Sequence, residues 1–265
     1  MPTSPITPPI SALILSAGRG ERMRPLTDTT PKPLLAVRGK PLLQWHVDAL
    51  TRAGFNHLLI NTAWLGEKIT SYFEQQVEQQ AALTFGLQSC PQARSEITFS
   101  HEGLDFGDAL ETLGGIARAL PQLGDLFWLL AGDVFAPEFV FSAAAVQRFA
   151  ASDKLAHLWL VPNPDHNPKG DFGLDAAGLA LNQPKDAGHT LYTYSTIGLY
   201  RRALFEAPWC DIPTGNPQGQ KAPLAPLLRL AMDQQRISAE LYLGAWTDVG
   251  TPQRLTQLNT TDPAP

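Results

Sequence analysis

Residues 10–34 read ISALILSAGRGERMRPLTDTTPKPL, a short apolar run followed at once by a glycine-rich, basic loop. An apolar run that stops at glycine predicts a strand buried on both faces, as in a parallel sheet. Gly18 and Gly20 let backbone amides approach an anion closely, and α/β folds bind ligands at the carboxyl ends of their strands. The stretch therefore predicts an anion-binding turn after the first strand of an α/β fold.

Strand-like and helix-like segments alternate through the first half of the chain, which predicts a doubly wound, mostly parallel sheet. From Ala156 onward, strand-like segments follow one another closely, which predicts a smaller antiparallel extension. The predicted strands are 10–17, 57–61, 96–101, 126–133, 156–161, 171–181, 190–200 and 237–243. The predicted helices are 41–53, 67–80, 110–120, 224–235 and a last one from Pro252.

Composition excludes several classes of protein. With 265 residues, 44% of them hydrophobic, the chain can bury a sizeable core, and its net charge of −5 argues against a surface that coats nucleic acid. Two cysteines, Cys90 and Cys210, are too few for a disulfide framework. No apolar run approaches the ~20 residues that span a bilayer, and the N-terminus lacks the features of a signal peptide. We expect a cytoplasmic protein with no nucleic-acid or membrane partner.

The loop carries a cluster of cations. Arg19, Arg22, Arg24 and Lys32 fall within one loop of an acidic protein. The glycines match neither the dinucleotide fingerprint nor the Walker loop, so on their own they fit a tight turn equally well. A solvated basic loop is the alternative for the cations, but a polyphosphate site explains both features better, because cations neutralise the ligand's charge.

The string from Leu15 through Ala17, Gly18, Gly20 and Arg22 to Thr27, followed by Pro31-Lys-Pro-Leu, closely resembles the signature of sugar-1-phosphate nucleotidyltransferases. The resemblance implies a Rossmann-like fold of the GT-A type, in which a sugar 1-phosphate oxygen attacks the α-phosphorus of a nucleoside triphosphate. It also implies that Ala17, Gly18, Arg19 and Gly20 bind the nucleotide, that Arg22 contacts the triphosphate, and that Lys32 neutralises charge at the reacting phosphates.

Two aspartates stand where that family holds its metal. Asp133 in Leu130-Ala-Gly-Asp-Val follows an apolar strand, and Asp248 in Trp246-Thr-Asp-Val-Gly precedes the last helix. Taken singly, each is more often a turn or helix-capping residue. The resemblance makes them the expected Mg²⁺ pair, with Asp133, Arg22 and Lys32 as the expected catalytic residues and no covalent intermediate.

One branch of the family, the short bacterial N-acetylmuramate-1-phosphate uridylyltransferases, resembles the chain over almost its whole length. Leu110-Glu-Thr-Leu-Gly-Gly is similar to a Glu-Thr-Gly-Gly-Gly segment there, which implies that Glu111 and Gly114 bind the nucleotide; a helix-start acid is the alternative for Glu111. Two departures affect selectivity: Leu113 replaces a glycine expected near the base or ribose, and Ala131 replaces an asparagine expected near the sugar. The further matching strings are 61–66, 170–172, 193–198 and 225–229.

The resemblance also implies which part of the chain binds which substrate. We expect a flexible segment at 1–9 and one domain over 10–260, with 10–152 mainly binding nucleotide and 153–260 mainly binding sugar phosphate. The candidate sugar-phosphate contacts are Asp171, Asn182, Lys185 and Lys221, with an ordinary surface position as the alternative for each lysine.

The branch implies that UTP and N-acetylmuramate 1-phosphate are the substrates, in peptidoglycan recycling. Three alternatives stay open: another sugar 1-phosphate such as glucose or mannose with UTP, dTTP or GTP; a nucleotide-sensing regulatory subunit; and a dinucleotide oxidoreductase, which the missing third glycine disfavours. We expect a monomer, and no acetyltransferase activity because no β-helix follows the second aspartate.

Overall fold

The computed structural model describes residues 11–84, 95–185 and 188–260. The expected flexible segment at 1–9 lies outside the described residues. The strands in chain order are β1 (Ser11–Leu15), β2 (Ala36–Val37), β3 (Lys40–Pro41), β4 (His57–Thr62), β5 (Glu96–His101), β6 (Leu126–Ala131), β7 (Val134–Phe135), β8 (Ala156–Val161), β9 (Phe172–Leu174), β10 (Ala180–Leu181), β11 (Leu191–Arg201), β12 (Ile237–Leu241) and β13 (Thr247–Asp248). The α-helices are α1 (Leu26–Thr29), α2 (Leu42–Arg52), α3 (Gly66–Thr84), α4 (Glu102–Phe106), α5 (Glu111–Ala119), α6 (Ala143–Ala151), α7 (Ala225–Asp233) and α8 (Pro252–Thr260).

A mixed central sheet runs in the order β5-β4-β1-β6-β11-β8-β12. The first four of these strands are mutually parallel, whereas β11 is antiparallel to both of its neighbours. The N-terminal end of β11 also pairs with β9, which pairs in turn with β10. The predicted parallel sheet with an antiparallel extension is therefore confirmed.

Helices cover both faces of the sheet. Ala12 and Ile14 of β1 pack in a core cluster with α2, α3 and α6, while Leu13 packs in a second cluster with α5 and α7. Because successive side chains of a strand point to opposite faces, both faces of β1 are buried, and all three of these residues are fully buried. This burial is the physical reason for the continuous apolar run in the sequence.

The structure corrects one predicted strand and adds elements that periodicity did not indicate. Residues 171–181 form two short strands, because the Asp175 carboxylate accepts hydrogen bonds from the amides of Ala177 (2.9 Å) and Leu179 (2.7 Å) and closes a turn. Helix α6 was not predicted, nor was the short ladder between β7 and β13. Within the described residues, no helix has the length and apolar content needed to cross a membrane.

Candidate active site

A cleft of about 520 Å³ opens at the carboxyl ends of the parallel strands. The loops that follow β1 and β6 form one side of it, and β9, β11 and α7 contribute the other. Its lining includes these polar and glycine residues: Ser16, Gly18, Lys32, Asn61, Glu102, Glu111, Thr112, Asp133, Asp171, Tyr194, Thr196 and Arg229. The cleft therefore lies at the sheet edge that the sequence predicts for ligand binding.

The basic loop is folded back on itself by a few hydrogen bonds. Gly20 adopts φ +67°, and its carbonyl accepts a bond of 2.9 Å from the Thr27 hydroxyl. The Trp64 indole donates to the Thr27 carbonyl at 2.8 Å. A Cβ added to Gly20 would lie 3.2 Å from side-chain carbons of Lys32 and Thr27, so the backbone approaches Lys32 closely here. Glycine thus meets both a conformational and a spatial requirement.

The four cations of the loop have different environments. Lys32 is buried and forms an ion pair with Asp133, whereas Arg19 stacks on Trp64 with 4.1 Å between the guanidinium carbon and the ring centroid. Arg24 forms an exposed ion pair of 2.7 Å with Asp28. Arg22 is exposed and has no hydrogen-bond or charge partner among the described residues. Of the four, only Lys32 lines the cleft.

The pair formed by Lys32 and Asp133 lies where β1 and β6 end. The Gly132 amide donates to the Leu15 carbonyl at 2.8 Å, which ties the two strand ends together just before Asp133. On the other side, His46 donates from Nε2 to the Val134 carbonyl at 2.8 Å. Burial lowers the pKa of His46 to about 4, so the ring is neutral at pH 7 and makes this bond without a charge.

The second predicted metal ligand lies on the adjacent ladder. Asp248 of β13 is paired with Val134 of β7, and the Val249 amide donates to the Asp133 carbonyl at 2.9 Å. The structure therefore brings the two aspartates, far apart in sequence, to neighbouring backbone positions. The Asp248 carboxylate is held by Arg254 and lies 2.8 Å from His166 Nε2.

A buried carboxylate is at the centre of a hydrogen-bond network in the wall of the cleft. Glu102 is fully buried; its Oε1 accepts from Asn61 Nδ2 at 2.6 Å and its Oε2 from the Leu110 amide at 2.8 Å. The Asn61 Oδ1 in turn accepts from the Ser16 amide at 2.6 Å. Burial raises the pKa of Glu102, and these hydrogen bonds partly oppose that rise. The network connects the start of the basic loop with the residue that precedes α5.

We predict that Gly115→Ala destabilises the protein by about 2–3 kcal/mol. An added Cβ would lie 2.5 Å from Glu102 Oε1 and 3.0 Å from Asn61 Nδ2, so the buried network would have to shift. Without that contact, alanine inside a helix would be favoured over glycine by roughly 0.5–1 kcal/mol, so the sign of the change is diagnostic. Urea unfolding at pH 7 measures it.

Gly18→Ala is the matched control for stability. A Cβ there would meet nothing within 4 Å, and the glycine is not in the left-handed region. We expect its free energy of unfolding to stay within about 0.5 kcal/mol of wild type. A Gly115→Ala protein as stable as wild type would show that the network tolerates the added methyl group.

The predicted base-binding segment is divided between the cleft and the core. Glu111, in the left-handed region at φ +58°, lines the cleft together with Thr112. Gly114 does not line it; a Cβ there would lie 2.3 Å from the Gln220 carbonyl oxygen. Leu113 is buried in the core cluster that contains residues of α7 and does not line the cleft, so its expected place near the base stays a prediction. Ala131, the other departure, does line the cleft.

The four predicted sugar-phosphate contacts are not equivalent. Asp171 lines the cleft, and its carboxylate accepts from the Tyr194 amide at 3.0 Å, with the Lys185 ammonium 3.5 Å away. Asn182 and Lys221 are not lining residues. Lys221 lies 2.5 Å from Asp108 in an exposed ion pair, which lowers the pKa of that carboxyl. The role of each of the four stays a prediction.

Comparison with known proteins decides the family. The profile of the nucleotidyl transferase family matches residues 11–264, which is almost the whole chain. The chain belongs to that family. This nucleotidyltransferase is 42% identical over 248 residues to the N-acetylmuramate alpha-1-phosphate uridylyltransferase of Neisseria meningitidis serogroup B, covering 93% of this chain and 95% of that one.

Two further comparisons agree with this assignment. The nucleotidyltransferase is 29% identical to the N-acetylmuramate alpha-1-phosphate uridylyltransferase of Caulobacter vibrioides, over 92% of this chain and 93% of that one. Among solved structures, a Bacillus anthracis protein described as a glucose-1-phosphate thymidylyltransferase superposes with a TM-score of 0.69 at 20% identity, covering 94% of each chain. This last likeness shows the shared fold.

Several cleft residues of the nucleotidyltransferase were missed from the sequence. Asn61 and Glu102 come at or just after the carboxyl ends of β4 and β5, a placement that could have identified them. Thr196 lies in a bulge of β11 at φ +64°, with a buried hydroxyl that has no partner among the described residues. Arg229 lies within α7 and ends the matching string 225–229, but no site role was predicted for it.

Proposed function

We propose that the protein transfers a uridylyl group from UTP to N-acetylmuramate 1-phosphate, giving UDP-N-acetylmuramate and pyrophosphate. The reaction type follows from the family, and the 42% identity to the Neisseria enzyme over almost the full length of both chains supports these substrates. Ala131 in the cleft is compatible with a change in sugar contacts but leaves the site of phosphate chemistry intact.

The observation that carries the proposal is the pair of Lys32 and Asp133 in the cleft beneath the glycine loop. In the proposed reaction a phosphate oxygen of the sugar 1-phosphate attacks the α-phosphorus, a new P–O bond forms, and the bond to pyrophosphate breaks. Negative charge accumulates on the phosphoryl oxygens during this exchange, and a preorganised cation stabilises it. Lys32 supplies that cation once the bound phosphates compete with Asp133 for its ammonium group.

Asp133 and Asp248 fit a Mg²⁺ ion by their chemistry. Magnesium prefers oxygen ligands and is commonly held by one or two carboxylates together with substrate phosphates. The described residues contain no cluster of three or more acidic, histidine or cysteine ligands, so substrate oxygens would complete the coordination. When bound, the ion would polarise the phosphoryl oxygens and offset their charge.

The setting of this reaction follows from its substrates. We infer a cytoplasmic enzyme of peptidoglycan recycling, because UTP is a soluble nucleotide of the cell interior and the proposed product is a soluble cell-wall precursor. A monomer, and a division into nucleotide and sugar-phosphate halves near residue 152, remain predictions.

A substrate matrix tests the proposal. Purified protein with Mg²⁺ is assayed for pyrophosphate release with four nucleoside triphosphates, each against the 1-phosphates of N-acetylmuramate, N-acetylglucosamine, glucose and mannose. We expect the highest kcat/KM for UTP with N-acetylmuramate 1-phosphate. A better glucose or mannose substrate would refute the narrow assignment and leave the reaction type standing, whereas no turnover with any pair would favour a sensor.

A further inference from the structure

Arg229 presents a cation to the cleft, and no acidic side chain among the described residues forms an ion pair with it. It lies on α7 and lines the cleft, with its guanidinium carbon 5.0 Å from the centroid of the Phe172 ring. Nη1 donates to Asn182 Oδ1 at 2.7 Å, and Nη2 donates to the Asp171 backbone carbonyl at 3.2 Å. Both acceptors are neutral amide oxygens, so these contacts orient the guanidinium without forming an ion pair.

The two carboxylates closest to these contacts are engaged elsewhere. The Asp171 carboxylate accepts from the Tyr194 amide at 3.0 Å and from Asn167 Nδ2 at 3.1 Å. The Asp233 carboxylate accepts from Asn182 Nδ2 at 3.0 and 3.2 Å, so Asn182 stands between it and Arg229. Within the described parts of the chain, Arg229 forms no ion pair.

An oriented, half-buried guanidinium without a counterion suits one class of ligand. The guanidinium has five N–H donors in a planar fork. Arg229 donates two hydrogen bonds to other protein groups, so further N–H groups remain available to a ligand. The fork matches a carboxylate or a phosphate through two parallel bonds, and a partly desolvated cation gains most from an anionic partner. In the proposed reaction Lys32, which also lines the cleft, serves the reacting phosphates, so Arg229 is available for another anionic group.

We propose that Arg229 binds a carboxylate carried by the sugar, and so selects an acidic sugar 1-phosphate over its neutral counterpart. This rests on the proposed function: N-acetylmuramate differs from N-acetylglucosamine by a lactyl ether that ends in a carboxylate. Asn182 is then a positioning residue, which accepts one hydrogen bond from the guanidinium and donates to the Asp233 carboxylate.

The test compares the two sugars in matched variants. Arg229→Met keeps the aliphatic bulk and removes the charge, Arg229→Lys keeps the charge and removes the fork, and Arg52→Met serves as a control on the exposed face of α2. Each is assayed with UTP and either N-acetylmuramate 1-phosphate or N-acetylglucosamine 1-phosphate, and thermal unfolding confirms that each variant is folded.

We expect Arg229→Met to lower kcat/KM for N-acetylmuramate 1-phosphate by about 30–100-fold, mainly through KM, the size typical of a lost charge-assisted contact. The same variant is expected to change kcat/KM for N-acetylglucosamine 1-phosphate by less than about 3-fold, because that sugar has no carboxylate to lose a partner. Arg229→Lys should fall between wild type and Arg229→Met with the acidic sugar, and Arg52→Met should match wild type with both.

Equal losses with both sugars would overturn the inference, since Arg229 would then hold the phosphate they share or the local fold. No loss with either sugar would overturn it as well. Failure of the proposed function is a separate result, in which the wild type turns over neither sugar. Calorimetric binding of the two sugar phosphates then decides the inference without turnover: a wild-type preference for the acidic sugar that Arg229→Met abolishes supports it, and no preference refutes it.

Discussion

Asp133→Asn is expected to lower kcat by about 1,000-fold at saturating UTP, sugar 1-phosphate and Mg²⁺. Asparagine keeps the shape of the side chain but removes the negative charge that pairs with Lys32 and that would hold the metal beside Asp248. Charge stabilisation at the α-phosphate of the transferred uridylyl group is the largest contribution that such a site makes, so losing the carboxylate that would hold the metal affects chemistry more than binding. Initial rates of pyrophosphate release measure the effect.

Asp153→Asn is the control for this prediction, because Asp153 is an exposed carboxylate outside the cleft lining that forms an ion pair with its neighbour, Lys154. It should retain wild-type kcat. Thermal unfolding is recorded for both variants, because Lys32 is buried and loses its ionic partner in Asp133→Asn. An Asp133→Asn protein that is folded and turns over at the wild-type rate with saturating Mg²⁺ would remove this residue from the metal site.

Lys32→Met should lower kcat by about 100–1,000-fold while changing the KM for UTP much less. Methionine preserves the apolar stem that packs under Gly20, so the loop keeps its shape while the charge is lost. An interaction that is stronger in the transition state than in the ground state lowers kcat when it is removed, whereas uniform binding would raise KM alone. Steady-state kinetics with UTP as the varied substrate separate the two effects.

Lys68→Met provides the matched lysine control. Lys68 is exposed beside the same loop and donates to the Thr29 carbonyl at 2.6 Å, outside the cleft lining. Its kcat should equal that of wild type. If Lys32→Met instead raised KM with an unchanged kcat, Lys32 would serve in ground-state binding of the triphosphate, and the proposed role in catalysis would be wrong.

The sequence alone predicted secondary structure correctly where the pattern of one continuous segment was sufficient. The apolar run before Gly18 predicted a strand buried on both faces. In a central parallel strand, the side chains on each face of the sheet pack against helices and are therefore apolar. The strand at 96–101 and the strand at 156–161 were predicted with their observed bounds. The helix α6 was missed, since a phenylalanine-rich stretch with one proline, Pro137, precedes it and its N-cap, Ser142, is a weak isolated signal.

The family resemblance also predicted residues of the active site. It indicated the glycine loop, Lys32, Asp133 and Asp248 because the family's motifs are contiguous strings that keep their meaning without coordinates. It did not indicate that Leu113, on α5, is a buried residue of the core. The direction of a helix side chain depends on what the helix packs against, and a motif string does not contain that information.

By itself, the sequence determined the strand that begins the fold, the basic loop and the family, because each is encoded in residues adjacent along the chain. The tertiary structure alone decided which distant groups meet: Glu102 with Asn61 and the Ser16 amide, and Arg229 with Asn182. The physical reason is that these contacts depend on strand order and helix packing, and only the folded chain brings such separated polar groups within hydrogen-bond distance.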